Sequence, residues 1–171
     1  MTVLLETNLP NLFYRGKVRD TYDLGQELLI VATDRISAFD VVLPNGIPYK
    51  GQVLNQLSAF WFQKTAHLVP NHVVEVVDDV LLLNARVPAH KCYVYPSYLA
   101  GRSMLVKKAQ RIDVECVVRG YLSGSAWSEY KEAGTVCGLR LLKGLVESQK
   151  LPEPLFTPTT KADSGHDEPL S

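Results

Sequence analysis

The sequence lacks an excess of charge of either sign. Its 171 residues carry 18 Lys and Arg against 18 Asp and Glu, so the formal net charge is zero. Proteins that bind nucleic acid usually carry a basic excess, because they neutralise phosphates. The balance therefore argues against a nucleic-acid partner, although it leaves room for local clusters of charge.

Paired cysteines and long apolar runs are also missing. Cys92, Cys116 and Cys137 are widely spaced and form no C-x-x-C pair, which argues against a disulfide framework or a zinc site. Reduced thiols of this kind predict a cytoplasmic protein. Apolar runs such as residues 80–83 are too short to span a bilayer, so no membrane partner is expected. Glu6 breaks the apolar start of the chain, which argues against a signal peptide.

Several catalytic signatures are absent. The chain has no G-x-S-x-G nucleophile elbow, no H-E-x-x-H zinc motif, no P-loop string and no dinucleotide-binding G-x-G-x-x-G. The H-R-D and D-F-G strings of protein kinases are missing as well. These absences argue against hydrolases with a catalytic triad, zinc proteases and kinases.

What is present is a pattern of strands followed by helix and loop. Apolar runs of strand length lie at residues 28–32, 73–77, 80–87, 103–109 and 112–119. Apolar residues at helical spacing predict a helix over 51–67 with Trp61 facing the core. A second helix is predicted between Ser125 and Gly134. From about residue 148, prolines predict an extended loop, and the whole pattern indicates an α+β fold.

The first segment with chemical promise runs from Arg15 to Asp20. In an extended chain alternate side chains share a face, which would place Arg15, Lys17 and Arg19 together around Gly16. Three cations beside a glycine suit a polyphosphate, because backbone N–H groups can approach closely and the cations neutralise phosphate oxygens. The alternative is a solvated strand edge guarded by its charges.

A second candidate is the polar segment 33–40, which follows a buried strand and contains Asp34, Arg35 and Asp40. Loops at strand ends often hold binding groups. The two carboxylates also fit a turn in which they accept hydrogen bonds from backbone N–H groups. Both interpretations stay open on this segment alone.

The third candidate is the predicted strand 112–119 and the helix start that follows it. Period two places its even positions on the core, while Glu115 and Arg119 share the other face. Hydroxyls at the helix start and a nearby arginine would make an anion site with the helix N-terminus. The alternative is an exposed ion pair, with Ser125 as a plain helix cap.

A fourth segment, residues 161–168, combines Lys161, His166 and several carboxylates around a glycine. On composition alone it is a polar tail.

The chain resembles the phosphoribosylaminoimidazole-succinocarboxamide synthase (SAICAR synthetase) family across essentially its whole length. The resemblance rests on four strings that occur in the family's order, namely Gly16 to Asp20, Asp34 to Asp40, Val114 to Ser125, and Lys161 to Asp167. It implies an ATP-grasp-like α+β fold. A small, kinase-like β lobe that binds ATP would span residues 1–110, and the start of a larger substrate-binding lobe would span 111–171.

The resemblance also implies roles for single residues. Those implied to bind ATP are Gly16, Lys17, Val18, Arg19 and Lys107. Those implied to bind the other substrates, chiefly the phosphate of the ribotide, are Asp40, Arg119, Ser123, Gly124, Ser125, Lys161, His166 and Asp167. Those implied to be catalytic are Lys17, Arg19 and Glu115.

The implied activity joins L-aspartate to the carboxylate of 5-amino-1-(5-phosphoribosyl)imidazole-4-carboxylate, with ATP converted to ADP and phosphate, in de novo purine biosynthesis. Phosphoryl transfer would turn a poor acyl donor into an acyl phosphate that the aspartate amine displaces. Such catalysis rests on positioning and on charge neutralisation by cations and Mg²⁺. It therefore needs no catalytic triad.

The family pattern continues past Ser171 with an acidic, metal-binding stretch. We therefore expect a truncated chain whose Mg²⁺ ligands lie beyond its end, and which is weakly active or inactive alone. A homo-oligomer is implied for the full-length protein. The alternative function is a nucleotide-binding module without catalysis.

Overall fold

The computed structural model describes residues 2–39, 41–86, 93–160 and 170. The chain divides into two compact units, Met1–Ala109 and Gln110–Ser171. None of the helices in the described ranges has the length and apolar character needed to cross a membrane.

A five-stranded antiparallel sheet forms the first unit. The strands of this unit in chain order are β1 (Leu12–Arg15), β2 (Arg19–Asp23), β3 (Glu27–Ala32), β4 (Arg35–Ala38), β5 (Val41–Gly46), β6 (Val73–Val77) and β7 (Ser103–Lys107). The large sheet has the spatial order β1-β2-β3-β7-β6, and β4 and β5 form a separate hairpin. The helices are α1 (Lys50–Thr65), α2 (Leu81–Arg86) and a short 3₁₀ turn at Ser97–Leu99.

One face of the large sheet carries the core of this unit. Alternate residues of neighbouring strands point to the same face, as strand geometry requires. The fully or nearly buried members of this core are Leu9, Tyr22, Leu29, Val31, Val77, Leu83, Tyr95, Leu99 and Leu105. Burial of each large apolar side chain contributes about 1.5–3 kcal/mol before the loss of chain entropy.

The helix predicted over residues 51–67 is confirmed by α1, but its predicted orientation is wrong. Trp61 is 53% exposed, and the other apolar residues of the stripe are exposed with it. The buried residues of α1 are Gly51 and Asn55. The helix therefore lies on the sheet by its small and polar side.

Close backbone approach and side-chain amides explain how α1 is attached. A Cβ at Gly51 would lie 2.2 Å from the carbonyl oxygen of Ala32 in β3, so only glycine fits there. The Asn55 amide donates to the backbone carbonyls of Gly101 (3.1 Å) and Ser103 (3.4 Å). Periodicity locates an apolar stripe but does not say what covers it.

The strand predicted over residues 80–87 is wrong, because α2 forms there. The Asp79 carboxylate accepts a hydrogen bond from the Leu81 N–H at 2.9 Å, which starts the helix. Leucine, alanine and arginine favour helix, and only the ends of the run are β-branched. The strand predicted over residues 73–77 is confirmed by β6.

The second unit contains two small antiparallel ladders around one helix. Its elements are β8 (Val114–Leu122), α3 (Ser125–Ala133), β9 (Thr135–Val136), β10 (Leu139–Arg140) and β11 (Gln149–Thr160). β8 pairs with β11, and β9 pairs with β10. Gly134 ends α3 with a positive φ, as predicted. The buried core is Leu122, Ala126, Val136 and Leu151.

The loop predicted after residue 148 is wrong, because a 12-residue strand, β11, lies there. The register shifts between Lys150 and Leu155, and this irregularity contains Pro152 and Pro154. Among the described strands β11 pairs with β8 alone, so its other edge needs no N–H donors for a ladder. Prolines therefore do not exclude a strand at this position.

The predicted core face of the segment 112–118 is exposed, contrary to the prediction. Ile112 and Val118 are 79% and 67% exposed, and Cys116 is exposed too. The core of the second unit lies instead at the end of β8, around Leu122. The alternation of apolar and polar residues separates the two faces of a strand. It does not show which face another element covers, and the described ladder has only two strands.

We expect Asn55→Ala to lower the free energy of unfolding by about 1–2 kcal/mol, because it removes the amide that donates to the buried carbonyl of Ser103 and to the half-buried carbonyl of Gly101. Leu57→Ala on the exposed stripe should cost less than about 1 kcal/mol. Urea denaturation measures both changes. A loss at Leu57 as large as that of a core deletion, about 2–5 kcal/mol, would contradict the observed orientation of α1.

Candidate functional site

The segment 16–19 forms the loop of the hairpin between β1 and β2. The Gly16 N–H donates to the carbonyl of Arg19 at 2.8 Å, which closes the loop. The side chains of Lys17 and Arg19 are exposed, and Val18 is half-buried. The four residues predicted to cover ATP phosphates therefore form one tight loop with two exposed cationic side chains.

Three consecutive carbonyl groups hold this loop to the rest of the unit. Arg35 donates from Nη2 to the carbonyl of Gly16 (2.8 Å) and from Nε to that of Lys17 (3.1 Å). Thr33 donates to the carbonyl of Val18 from its N–H (3.1 Å) and its hydroxyl (2.9 Å). The loop is thus fixed through its acceptors.

A buried carboxylate neutralises Arg35. Its Nη2 lies 2.7 Å from Oδ1 of Asp20, which has no exposed surface. Asp20 also accepts from the hydroxyl (2.6 Å) and N–H (3.2 Å) of Thr7. Burial opposes ionisation of Asp20, but the hydrogen bonds from Arg35 and Thr7 outweigh it and hold its pKa below the ordinary value.

The predicted face of three cations is only partly correct. Arg15 pairs with Glu6, donates to the carbonyl of Thr7 at 2.7 Å and lies 3.5 Å from Asp20. Its charge is therefore neutralised within the fold, because the N-terminal segment runs beside β1. Arg15 does not add to the exposed cations of the loop.

Lys50, which the sequence did not single out, adds a cation near the loop. It is the first residue of α1. Burial, followed by the positive charge of Arg19, lowers its pKa below the ordinary value, while the Asp34 carboxylate partly opposes this effect. Lys50 and Arg19 are thus close enough for each to raise the positive potential around the other.

Asp34 follows the capping interpretation of its segment. Its carboxylate accepts from the N–H groups of Leu4 and Gly51, each at 2.9 Å, and pairs with Arg102 at 3.1 Å. It therefore ties the N-terminal segment and the start of α1 to the sheet. Asp40 lies outside the described residues.

Lys107 lies far from the loop. It stands opposite Glu27 at one end of β3, whereas Arg19 stands opposite Ala32 at the other end. At about 3.3 Å per residue these ends are roughly 16 Å apart. The structure therefore does not bring Lys107 together with the other residues predicted to bind ATP.

In the second unit, Arg119 on β8 is half-buried and bonded to three oxygen atoms. It donates to the hydroxyl of Thr157 (3.1 Å), the carbonyl of Ser123 (3.5 Å) and the hydroxyl of Ser125 (3.0 Å). All three oxygens are uncharged, so these bonds orient the guanidinium without neutralising it. The predicted grouping of Arg119 with the helix start is observed.

The start of α3 rules out the plain-cap interpretation of Ser125. The N-cap is Gly124, with φ 61° and no side-chain cap bond, and Ser125 is the first helical residue. The Ser125 hydroxyl accepts from Arg119 instead. Gly124 adopts a positive φ that favours glycine, which turns the chain from β8 into the helix.

Glu115 lies on β8 opposite Thr159 and is exposed. The other residues predicted to bind substrates, Lys161, His166 and Asp167, lie outside the described residues. Across residues 2–39, 41–86 and 93–160, no three His, Cys, Asp or Glu side chains come together in a way that could hold a metal ion.

Comparison with known proteins decides the family. The sequence profile of the family described as SAICAR synthetase matches residues 12–171. The chain belongs to the SAICAR synthetase family. It is 57% identical over 171 residues to the phosphoribosylaminoimidazole-succinocarboxamide synthase of Thermodesulfovibrio yellowstonii, covering 99% of this chain and 56% of that protein.

Other relatives of the SAICAR synthetase family agree. The synthase of Elusimicrobium minutum is 55% identical over 166 residues, covering 97% of this chain and 55% of that protein. The SAICAR synthase of Saccharomyces cerevisiae, solved in complex with SAICAR, matches with a TM-score of 0.83 and 46% identity, covering 98% of this chain and 56% of that one. The predicted α+β fold of this family is confirmed. This chain thus spans about half the length of the relatives it matches.

Sequence reasoning missed several residues that shape this candidate site. Arg35 lay in a segment already marked, but nothing in the sequence shows that its guanidinium reaches the carbonyls of Gly16 and Lys17. Thr33 follows β3 and Thr157 lies in β11, and no local pattern shows that their hydroxyls contact the Val18 carbonyl and Arg119. Lys50 alone had a signal in the sequence, because it is a cation just before the glycine at which a helix is predicted to start.

We expect Asp20→Asn to lower the free energy of unfolding by about 3–5 kcal/mol, because it leaves the buried Arg35 charge without its counter-ion. Ionised Asp20 contributes stability above the pKa of an unfolded aspartate, about 3.9, and this contribution is lost as pH falls through its lower folded pKa. Below about pH 4 the wild-type stability should therefore fall more steeply than that of the variant.

Urea denaturation from neutral pH to about pH 3 measures this difference. Asp23→Asn is the matched control, because Asp23 pairs with Lys108 at the surface at 2.8 Å. It should cost much less than Asp20→Asn at neutral pH. Equal losses for the two variants would contradict the role given to the buried pair.

Proposed function

We propose that this chain serves the SAICAR synthetase reaction, the ATP-dependent joining of L-aspartate to the carboxylate of 5-amino-1-(5-phosphoribosyl)imidazole-4-carboxylate. The products are the succinocarboxamide, ADP and phosphate, and the pathway is de novo purine biosynthesis. The observation that carries the proposal is 57% identity to a curated synthase over 99% of this chain. The identity covers both units, so each is assigned a part of the reaction.

The first unit is the proposed ATP-binding lobe. Its loop presents Lys17 and Arg19 in an exposed position, with Lys50 near Arg19. Such cations neutralise the charge of a triphosphate, and a backbone held in advance reduces the entropy lost on binding. The fixed carbonyls of the loop support this assignment. Lys107 lies on β7, beside the end of β3 that is remote from the loop. It would therefore contact a part of the nucleotide other than the phosphates that the loop binds.

The second unit is the proposed start of the substrate-binding lobe. Arg119 is held by neutral oxygens, so its charge and its planar donors suit the phosphate of a ribotide. The helix start at Ser125 adds a hydroxyl and a favourable dipole. Family resemblance adds Ser123 and Gly124 to this group, together with Asp40, Lys161, His166 and Asp167. Glu115 remains a proposed catalytic residue on the same strand as Arg119.

The chemistry explains why cations dominate. A carboxylate oxygen of the ribotide attacks the γ-phosphorus of ATP, the bond from that phosphorus to the β-phosphate oxygen breaks, and ADP leaves. The aspartate amine then attacks the acyl carbon, the carbon–oxygen bond to phosphate breaks, and the amine loses a proton as the amide forms. Lys17 and Arg19 would neutralise phosphate charge during the first step.

Other parts of the proposal rest on the family. Mg²⁺ would neutralise phosphate charge when bound, although the described residues bring no three metal-binding side chains together. A cytoplasmic location and a homo-oligomeric full-length protein also belong to the proposal. The partners would be small molecules, without nucleic acid or membrane.

A nucleotide-binding module without catalysis is the competing function. The exposed cations of the first unit fit it as well as they fit the ligase. It gives no reason, however, for Arg119 to be oriented by three neutral oxygens in the second unit. The two functions therefore differ in whether the chain binds the ribotide.

Isothermal titration calorimetry with ATP and, separately, with the carboxylated ribotide tests this difference. The ligase predicts binding of both ligands, and Arg119→Ala should weaken ribotide binding by about a hundredfold, because a charge-assisted pair is lost. The same variant should leave ATP binding nearly unchanged.

Arg140→Ala is the matched control, since Arg140 is an exposed arginine of the same unit on the short strand β10. It should bind both ligands like the wild type. Binding of ATP without binding of the ribotide would favour the nucleotide module. Equal loss of both ligands on Arg119→Ala would contradict the assignment of Arg119.

A further inference from the structure

The loop 16–19 is held by a buried arginine, Arg35, which lies on the side of the loop away from solvent. Arg35 is only 7% exposed, whereas the side chains of Lys17 and Arg19 are exposed. Its guanidinium donates to the successive carbonyls of Gly16 and Lys17, at 2.8 Å and 3.1 Å. A buried cation placed in this way acts on the backbone of the loop rather than on a bound molecule.

Arginine is the only side chain that can make this set of bonds. Nε and Nη2 point in fixed directions from one plane, so they can serve the carbonyls of Gly16 and Lys17 together. Nη1 meanwhile donates to the carbonyl of Leu5 at 2.7 Å. A lysine has one nitrogen and cannot span these acceptors.

The charge of Arg35 is balanced away from the loop. Asp20, the second residue of β2, contacts Arg35 at 2.7 Å and is itself held by Thr7. A phosphate is therefore not needed to neutralise Arg35. The buried pair orders the loop before any ligand arrives.

We propose that Arg35 is a positioning residue for nucleotide binding. It fixes the backbone of Gly16 and Lys17, and so sets the direction in which Lys17 and Arg19 meet a polyphosphate. The consequence for ATP rests on the proposed function, whereas the ordering of the loop does not. Thr33 supports the same loop at the next carbonyl, that of Val18.

A second buried pair in the same unit provides a matched comparison. Arg102 is 6% exposed and pairs with Asp34, which is fully buried, at 3.1 Å. Its other contact is the carbonyl of Ala32 at 3.5 Å in β3. Arg102 thus resembles Arg35 in burial and in ion pairing, but none of its described hydrogen bonds goes to the loop.

Arg35→Lys and Arg102→Lys test the proposal in the whole chain. Both keep the charge and a partner carboxylate, but only Arg35→Lys loses the fork that holds the loop. Amide exchange measured by NMR reports loop order without any ligand. The Gly16 amide, bonded to Arg19, reports the loop, and the Leu29 amide in β3 reports opening of the core.

We expect exchange at Gly16, relative to Leu29, to rise roughly tenfold or more in Arg35→Lys and to stay unchanged in Arg102→Lys. The dissociation constant of ATP should rise by a similar factor in Arg35→Lys alone, with ribotide binding unaffected. An unchanged exchange ratio in Arg35→Lys would overturn the proposal. A loosened loop with wild-type ATP affinity would overturn its functional part.

Thr33→Val is a milder variant that keeps the shape of the side chain and the N–H bond to Val18. It removes the hydroxyl bond to the Val18 carbonyl and the weaker bond that the hydroxyl accepts from the Arg35 N–H at 3.4 Å. The guanidinium bonds of Arg35 remain, so the effect on Gly16 exchange should lie between those of the wild type and Arg35→Lys. It also serves if Arg35→Lys fails to fold. Should the wild-type chain bind no ATP, the proposed function fails, and the exchange ratios alone then decide whether Arg35 orders the loop.

Discussion

The ion pair between Asp20 and Arg35 is the interaction on which the first unit depends. Removing two charges from water costs several kcal/mol, and only close contact and further hydrogen bonds recover it. Here the recovery comes from Thr7, from the carbonyl of Leu5 and from the carbonyls of Gly16 and Lys17. The pair therefore joins the N-terminal segment, the hairpin loop and the start of β4, and the conformation of the loop follows from it.

The two units use arginine in opposite ways. In the first, a buried arginine is neutralised by a carboxylate and arranges a backbone whose exposed cations face solvent. In the second, Arg119 is half-buried, and its described hydrogen bonds go to uncharged oxygens. A carboxylate beside Arg119 would compete with phosphate, and a free charge at Arg35 would draw phosphate below the loop. The contrast fits a nucleotide on one unit and a ribotide on the other.

Strands and helices with a local signal could be predicted from the sequence. Side-chain contacts with residues far along the chain could not. The strand at 103–109, the helix from Ser125 to Gly134 and the grouping of Arg119 with that helix start follow from period, capping and neighbouring residues. The inward side of α1 does not, because Asn55 finds its acceptors about 46 residues away. Arg15 was misassigned for the same reason, since it forms an ion pair with Glu6 of the N-terminal segment, a contact that no local pattern reveals.

In the proposed function, the loop 16–19 binds the phosphates of ATP, and Arg119 with the start of α3 binds the ribotide. Chemical-shift mapping of backbone amides by ¹H–¹⁵N NMR, with each ligand added separately to this 19.0 kDa chain, tests it most directly. We expect ATP to change the chemical shifts of the amides in the loop and at the start of α1. The ribotide should change those of residues 119–125. ATP shifts that spare the loop, or ribotide shifts that spare Arg119 and Ser125, would contradict it.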